Sequence, residues 1–356
     1  MIPDLKLEVI EDLETWRALR PEWNRLADSL SDVSVFSRWE WQFAWWRRFW
    51  PEADLHIMAF RDRDGALRAV FPFYIQEERV RGLVRFDIAR LIGSGWSDYL
   101  NILCDDDGIA RLAGAALRKS RPNLLFDLSM IPADGHRIEL MLGGGPLAVR
   151  RVETCPFMIL PGHERDFWAG LGRRTRKNIR RGLNRLGEEH QARLRVTRDY
   201  RGIREALERI YALQAGWFGE TKATAAGRRN YLGVLIDSAR DLCPEGMPVA
   251  VSLENERGVI AAQYCLDYKG RRHFVIGGLD AAYRRHDPGK CVIALSIADA
   301  IERGLKEYDF LNGDEDYKRL FADRQRYCIN AAAGFSRAVF RAHRALNALN
   351  YPRPSR

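Results

Sequence analysis

Residues 283–304 read "YRRHDPGKCVIALSIADAIERG". A basic loop with Arg284, Arg285 and His286 turns through Asp287, Pro288, Gly289 and Lys290 straight into an apolar run. The pattern predicts a helix: Asp287 fits the N-cap, Pro288 the first helical position and Gly304 the stop. Val292, Ile293, Leu295, Ile297, Ala298 and Ile301 leave it apolar nearly all round. Such a helix must be buried, so its start is held in place. The first N–H groups of a helix lack intrahelical partners and carry the positive end of its dipole. Gly289 admits a ligand close to the backbone, and Arg284, Arg285 and Lys290 add positive charge. Together these residues can cradle phosphate oxygens. An ordinary capped helix with solvated basic neighbours accounts for the same spacing equally well. An Asp287 carboxylate sitting on those N–H groups would repel a phosphate.

Working outward, the chain of 356 residues is long enough for two domains, and its 46% hydrophobic and 29% charged residues are globular in balance. Lys plus Arg exceeds Asp plus Glu by nine (57 against 48), which favours anionic partners: nucleic acid, acidic lipid or a phosphorylated small molecule. Six scattered cysteines form no C-x-x-C pair and read as buried thiols of a reducing compartment. The start, "MIPDLKLEVIEDLETW", is acidic and has no signal-peptide character, and no stretch approaches a membrane span. A soluble, cytoplasmic protein is expected.

The first half, residues 1–150, reads as strand 5–10, a helix over 12–29, and a second helix crowded with Trp39, Trp41, Trp45, Trp46 and Trp50 that Pro51 stops. Most of these tryptophans fit a core; some fit a cleft or a domain interface. A hairpin turns at Asp64-Gly65. "LVRFDIARLIG" and "DYLNILCD" read as two more strands, followed by helix, strand and short helix. The second half, residues 151–356, opens with a strand and then the amphipathic helix 171–187, with seven basic residues from Arg173 to Arg185 and no acid among them. A strand, two helices, a three-stranded meander, the quoted helix, "YDFLNGD" as a strand, "EDYKRLF" as a short helix and "YCINAAAGF" as a last strand follow. Both halves share one rhythm: helices, an antiparallel meander, then a strand–helix–strand crossover. One fold used twice is expected, of α/β class with mixed sheets. The tail "NALNYPRPSR" reads as frayed.

Further candidates follow from position. "DFLNGDEDYKRLF" puts Tyr317 and Lys318 past the end of a buried strand, among Asp314, Glu315 and Asp316. Ligands of α/β folds gather at such strand ends, and a phenol there can donate a proton to a leaving group. An acidic turn capping a short helix is the plainer reading. Asp98, in "GSGWSDYLNI", is a turn residue or a base for an amine. Helix 171–187 is a solvated face or a surface for nucleic acid or acidic membrane. The seven histidines are dispersed, with no H-E-x-x-H or His/Cys cluster, so no metal site is expected. No G-x-S-x-G elbow, Walker A or G-x-G-x-x-G loop is present.

On "FSRWEWQFAWW", "SDYLNIL", "RRTRKNIRRGLNRL", "AAQYCL", the "PGK" helix start and "YDFLNGDEDYKRLF", the chain resembles the BioF2-like (CelD-like) acetyltransferase family of the GNAT superfamily over nearly its whole length. The last two motifs, in that order, are the most specific. The resemblance implies two tandem GNAT-like domains, an acyl-coenzyme A donor, acetyl-coenzyme A foremost, and an amine acceptor, with a link to polysaccharide biosynthesis. It implies kinship with Fem-type transferases, whose donor is aminoacyl-tRNA. Pro288, Gly289 and Lys290 match the pyrophosphate loop, and Asp309, Gly313, Tyr317 and Lys318 the late motif. Asp287 stands where the family more usually has a small hydroxyl residue, and the full superfamily loop signature is absent, which bears on the donor more than on the fold. The expected reaction is direct attack by an amine, with Asp98 or Glu315 as base, Tyr317 as acid and no metal. Aminoacyl transfer from tRNA bound along helix 171–187 and a non-catalytic GNAT-like binding module are the alternatives.

Overall fold

The computed structural model describes residues 5–49, 53–80, 84–134, 137–214 and 222–346. They fall into two compact units, one running to Glu153 and resuming at Tyr327, the other Thr154–Arg326. The last strand, expected with the C-terminal half, thus packs with the first unit.

The first unit begins with β1 (Lys6–Ile10), α1 (Leu13–Ala18), α2 (Arg20–Ser29) and α3 (Trp39–Phe49). The single helix expected over 12–29 is two. Pro21 has no N–H and crowds the preceding turn, so the chain breaks at Leu19. A meander follows, β2 (Asp54–Arg61), β3 (Leu67–Val80) and β4 (Val84–Leu91), then α4 (Asp107–Ser120), β5 (Leu125–Pro132) and α5 (Ile138–Leu142). The hairpin at Asp64-Gly65 forms as read, with Gly65 at φ +81°. The expected strand "DYLNILCD" does not form. Gly93, Gly95 and Tyr99 all have positive φ and turn the backbone away, leaving a single bridge from Leu103 to Val70. The sheet order is β1-β2-β3-β4-β5-β12, where β12 is Arg324–Gly334, and β4 runs parallel to β5. α11 (Arg337–Leu346), not foreseen from the sequence, packs Phe340 beside Phe86 and Leu125. Trp39, Trp41, Trp45 and Trp46 are all buried. Trp41 donates to Ser97 Oγ at 2.8 Å and Trp39 to the Trp16 carbonyl at 2.9 Å. Trp39 and Trp46 also meet Trp16 edge-on, so the core reading holds for these four. Trp50, the Pro51 stop and the tail from 347 lie outside the described residues.

β6 (Leu147–Ile159) leads into the second unit: α6 (Glu164–Gly170), α7 (Arg173–His190), β7 (Arg193–Thr197), α8 (Tyr200–Gln214), α9 (Lys222–Leu242), the meander β8 (Pro248–Asn255), β9 (Gly258–Tyr268) and β10 (Arg271–Leu279), then α10 (Pro288–Glu302) and β11 (Glu307–Asp309). "EDYKRLF" forms only a 3-10 turn at Lys318–Leu320. The end of β6 pairs with β11, and β10 follows, parallel to β11. Ile179, Leu186, Cys291, Ala294, Ile297 and Tyr308 share one core, which seats α7 and α10 together on the sheet. α10 is buried over most of its surface, as its composition requires. Among the described residues no helix is long and apolar enough to cross a membrane.

Candidate functional site

β10 and β11 pair over three residues only, Arg271 with Glu307, Arg272 with Tyr308 and His273 with Asp309. β10 then shifts register against β9 between Phe274 and Ile276 and runs on to Leu279. Six residues of β10 therefore extend past the end of β11, and the two parallel strands part there. Beyond the parting, the Gly277 carbonyl is met by the Gln214 amide at 2.6 Å rather than by a strand.

α10 starts beside the far end of β10: a Cβ on Gly289 would sit 3.1 Å from Leu279 Cδ2. Asp287 occupies the N-cap position, but in the left-handed region (φ 52°, ψ 46°) and with no side-chain capping bond. Its carboxylate turns instead to Lys290 Nζ at 3.0 Å. The Cys291 N–H bonds to the Asp287 carbonyl at 3.1 Å, and Pro288 has no N–H. The helix supplies no partner for the N–H groups of Gly289 and Lys290. The clash foreseen between an Asp287 cap and an anion is thus absent. The arginines differ from expectation. Arg284 is exposed on the turn before the helix, while Arg285 leans back to α7, donating to His286 Nε2 at 2.9 Å with Glu189 Oε2 at 3.7 Å.

The segment after β11 is a clamped turn. Leu311 has φ +58°, costly for a non-glycine residue, and Gly313 has φ +120°. Asp309 Oδ1 accepts the Leu311 N–H at 2.8 Å. Buried Lys318 ties the carbonyls of Asn312 (2.5 Å) and Leu311 (3.5 Å) to the Glu315 carboxylate (2.9 Å). A Cβ on Gly313 would fall 2.3 Å from Glu315 Oε2 and 2.8 Å from Lys318 Nζ. Lys318 and Glu315, expected as catalytic groups, hold this turn together. Tyr317 is half-buried against the core of the unit, and burial keeps its phenol protonated well above the ordinary tyrosine range.

Two polar residues at the parting point went unassigned from composition. His273 is buried, its Nδ1 3.1 Å from the Leu266 carbonyl, and burial pulls its pKa down to about 3. Asp309, named only through the family resemblance, is fully buried, and desolvation pushes its carboxyl up to about 6 although the Arg326 guanidinium at 3.3 Å opposes this. A His inside "RRHFVIGG" and an Asp inside "YDFLNG" were the available signal: polar residues in apolar strands. Asp98 belongs to the first unit, half-buried on the loop after β4.

Residues 173–319 match the model of the "Acetyltransferase (GNAT) domain", which takes in α7, the meander, α10 and the clamped turn. No curated protein matches the chain. Among solved structures it is similar to FemX at a TM-score of 0.61, with 10% identity over 95% of this chain and 99% of that one. L-PGS from Bacillus licheniformis gives 0.52, with 10% identity over 96% and 98%. At such identities the likeness is one of fold. Residues 173–319 of the second unit thus match an acetyltransferase (GNAT) domain, and the chain as a whole shares the fold of FemX and L-PGS.

Proposed function

We propose that the second unit is an N-acyltransferase that takes its acyl group, acetyl foremost, from an acyl-coenzyme A. The observation that carries this reading is the open N-terminus of α10 beside the overhanging end of β10. The Gly289 and Lys290 N–H groups, with the helix dipole behind them, suit a diphosphate. Arg284 lies close in sequence to add charge. The overhang of β10, Phe274–Leu279, suits an extended pantetheine arm, with the thioester towards the clamped turn.

In this reading a neutral amine attacks the thioester carbonyl. The N–C bond forms, the C–S bond breaks, the thiolate takes a proton from Tyr317, whose phenol burial keeps protonated, and the proton released by the acylated nitrogen returns to the Tyr317 oxygen. No enzyme nucleophile is needed. Proton removal from the ammonium falls to Asp309 better than to Glu315, which Lys318 holds, or to Asp98 of the first unit: its pKa near 6 suits a base at neutral pH. An amino sugar of a polysaccharide precursor is the acceptor class that the family resemblance adds.

The test is thermal shift and thiol release with acyl-coenzyme A species of increasing chain length and a panel of amines. A Tm that rises with donor concentration, and thiol release that needs an amine, support the proposal. No shift with any acyl-coenzyme A removes it, and a shift without release leaves a binding module.

One observation favours a second donor. Arg173, Arg174, Lys177 and Arg181 lie exposed on α7, with no acidic partner among the described residues. Such a row suits an anionic polymer, and so aminoacyl-tRNA as donor. Salt-sensitive tRNA binding that disappears when Arg173, Arg174 and Lys177 become Glu would decide for it.

A further inference from the structure

The dispersal of histidines along the sequence pointed away from a metal, but folding brings two of them together. His190 ends α7 and His286 ends the 3-10 turn before α10. Their Nε2 atoms stand 3.1 Å apart. Glu189 Oε2 lies 4.0 Å from His190 Nε2 and 3.9 Å from His286 Nε2. Two imidazole nitrogens on one tetrahedral zinc, each about 2.0–2.1 Å from it, sit about 3.4 Å apart. The histidine pair is within a few tenths of an ångström of that spacing. Glu189, its side chain 46% exposed, is free to rotate by the remaining distance.

The backbone presents these nitrogens from fixed positions. Asn255 Nδ2 bonds both the His190 carbonyl and the Tyr283 hydroxyl at 3.1 Å, and the Tyr283 ring packs edge-on to His190. On the other side α7 lies so close that a Cβ on Gly182 would fall 2.5 Å from the His286 carbonyl. The His286 side chain is 1% exposed, so one ligand is buried and two face solvent. That leaves room for water as a further ligand.

We propose that Glu189, His190 and His286 form a binding site for a divalent metal ion of zinc type, two imidazoles and one carboxylate with an open position. The ion would pin the end of the basic helix α7 to the segment that leads into Pro288-Gly289. Arg285 shares this space, donating to the same His286 Nε2 at 2.9 Å and reaching towards Glu189. Its side chain is 71% exposed, so an incoming ion displaces it outward. Arg285 is therefore a competitor, and this gives the proposal a signature that a plain hydrogen-bonded cluster lacks.

The experiment uses the full chain without a tag, stripped with chelator and titrated with Zn2+ and then Co2+. Expected are one equivalent bound, a Tm that rises with metal, and a cobalt spectrum without a thiolate charge-transfer band. His190→Ala and Glu189→Gln should each weaken binding by at least about tenfold, and Arg285→Met should tighten it. Absence of saturable binding overturns the proposal. So does an affinity that His190→Ala or Arg285→Met leaves unchanged, or a thiolate band, which would put the ion on cysteine. None of these readouts depends on an acyl donor, so the site and the transferase reading stand or fall separately.

Discussion

The two units build the same piece of structure and finish it differently. In each, a three-stranded antiparallel meander is followed by a helix and a strand parallel to the last of the three: β2-β3-β4-α4-β5 and β8-β9-β10-α10-β11. In the first unit the crossover helix is sealed. "DDD" at 105–107 spans the start of α4, and the N-cap Asp106 Oδ1 accepts the Ile109 N–H at 3.0 Å. β4 ends at Leu91, two residues past its last pairing with β5, so no overhang faces the helix start. In the second unit the helix begins Pro-Gly-Lys, Asp287 is turned aside to Lys290, and β10 overhangs β11 by six residues. Carboxylates at a helix N-terminus satisfy its N–H groups and exclude an anion; an uncapped start beside an overhanging strand invites one. One architecture thus gives a core element in one place and a candidate donor site in the other.

The largest effect is expected from sealing the second helix as the first is sealed. Gly289→Glu should abolish the acyl-coenzyme A thermal shift and cut turnover by about 100-fold, the scale of losing hydrogen bonds to a charged group. Far-UV circular dichroism should be unchanged, and unchanged turnover would erase the distinction between the helices. Next comes the clamped turn, which has no counterpart in the comparison. Lys318→Met leaves two carbonyls and the Glu315 carboxylate without their donor and should cost about 2–3 kcal/mol in denaturant unfolding. Glu315→Gln, which keeps the ammonium on the carbonyls, should cost less.

The parting point predicts a pH dependence with opposed contributions. Folded His273 titrates at about 3, below the unfolded histidine near 6.5, so its contribution is lost as pH falls from about 6.5 towards 3. Folded Asp309 titrates at about 6, above its unfolded value of 3.8, so between 6 and 4 it binds protons first and its contribution grows as pH falls. His273→Asn should flatten the acid loss and Asp309→Asn should steepen it below pH 6, both read from Tm against pH. The smallest effect belongs to the sealed helix: Asp106→Ala should cost about 1 kcal/mol. It should leave the donor-induced Tm shift untouched, because α4 has no overhanging strand to bind against.

Much of this was legible along the chain. The three-strand meanders announce themselves through β-branched alternation and tight turns, and α10 through its unbroken apolar run. The Pro-Gly-Lys start was recognisable because proline and glycine have narrow conformational uses. The misreadings have local causes. "DYLNILCD" has strand composition, yet the positive φ of Gly93, Gly95 and Tyr99 depends on what packs around them. The helix over 12–29 has one continuous pattern, and a single proline divides it. Lys318 and Glu315 follow a buried strand in sequence, and only coordinates reveal that they pair with each other.

The sequence by itself determined the elements, the burial of α10, the basic face of α7 and the chemistry available at the turn, because periodicity and backbone stereochemistry are local properties. Tertiary structure decided that β10 outruns β11, that Asp287 turns to Lys290, that Asp309 is desolvated and that His190 meets His286 across 96 positions. Those facts depend on how far strands pair and what excludes water, and neither quantity is written in any one segment of the chain.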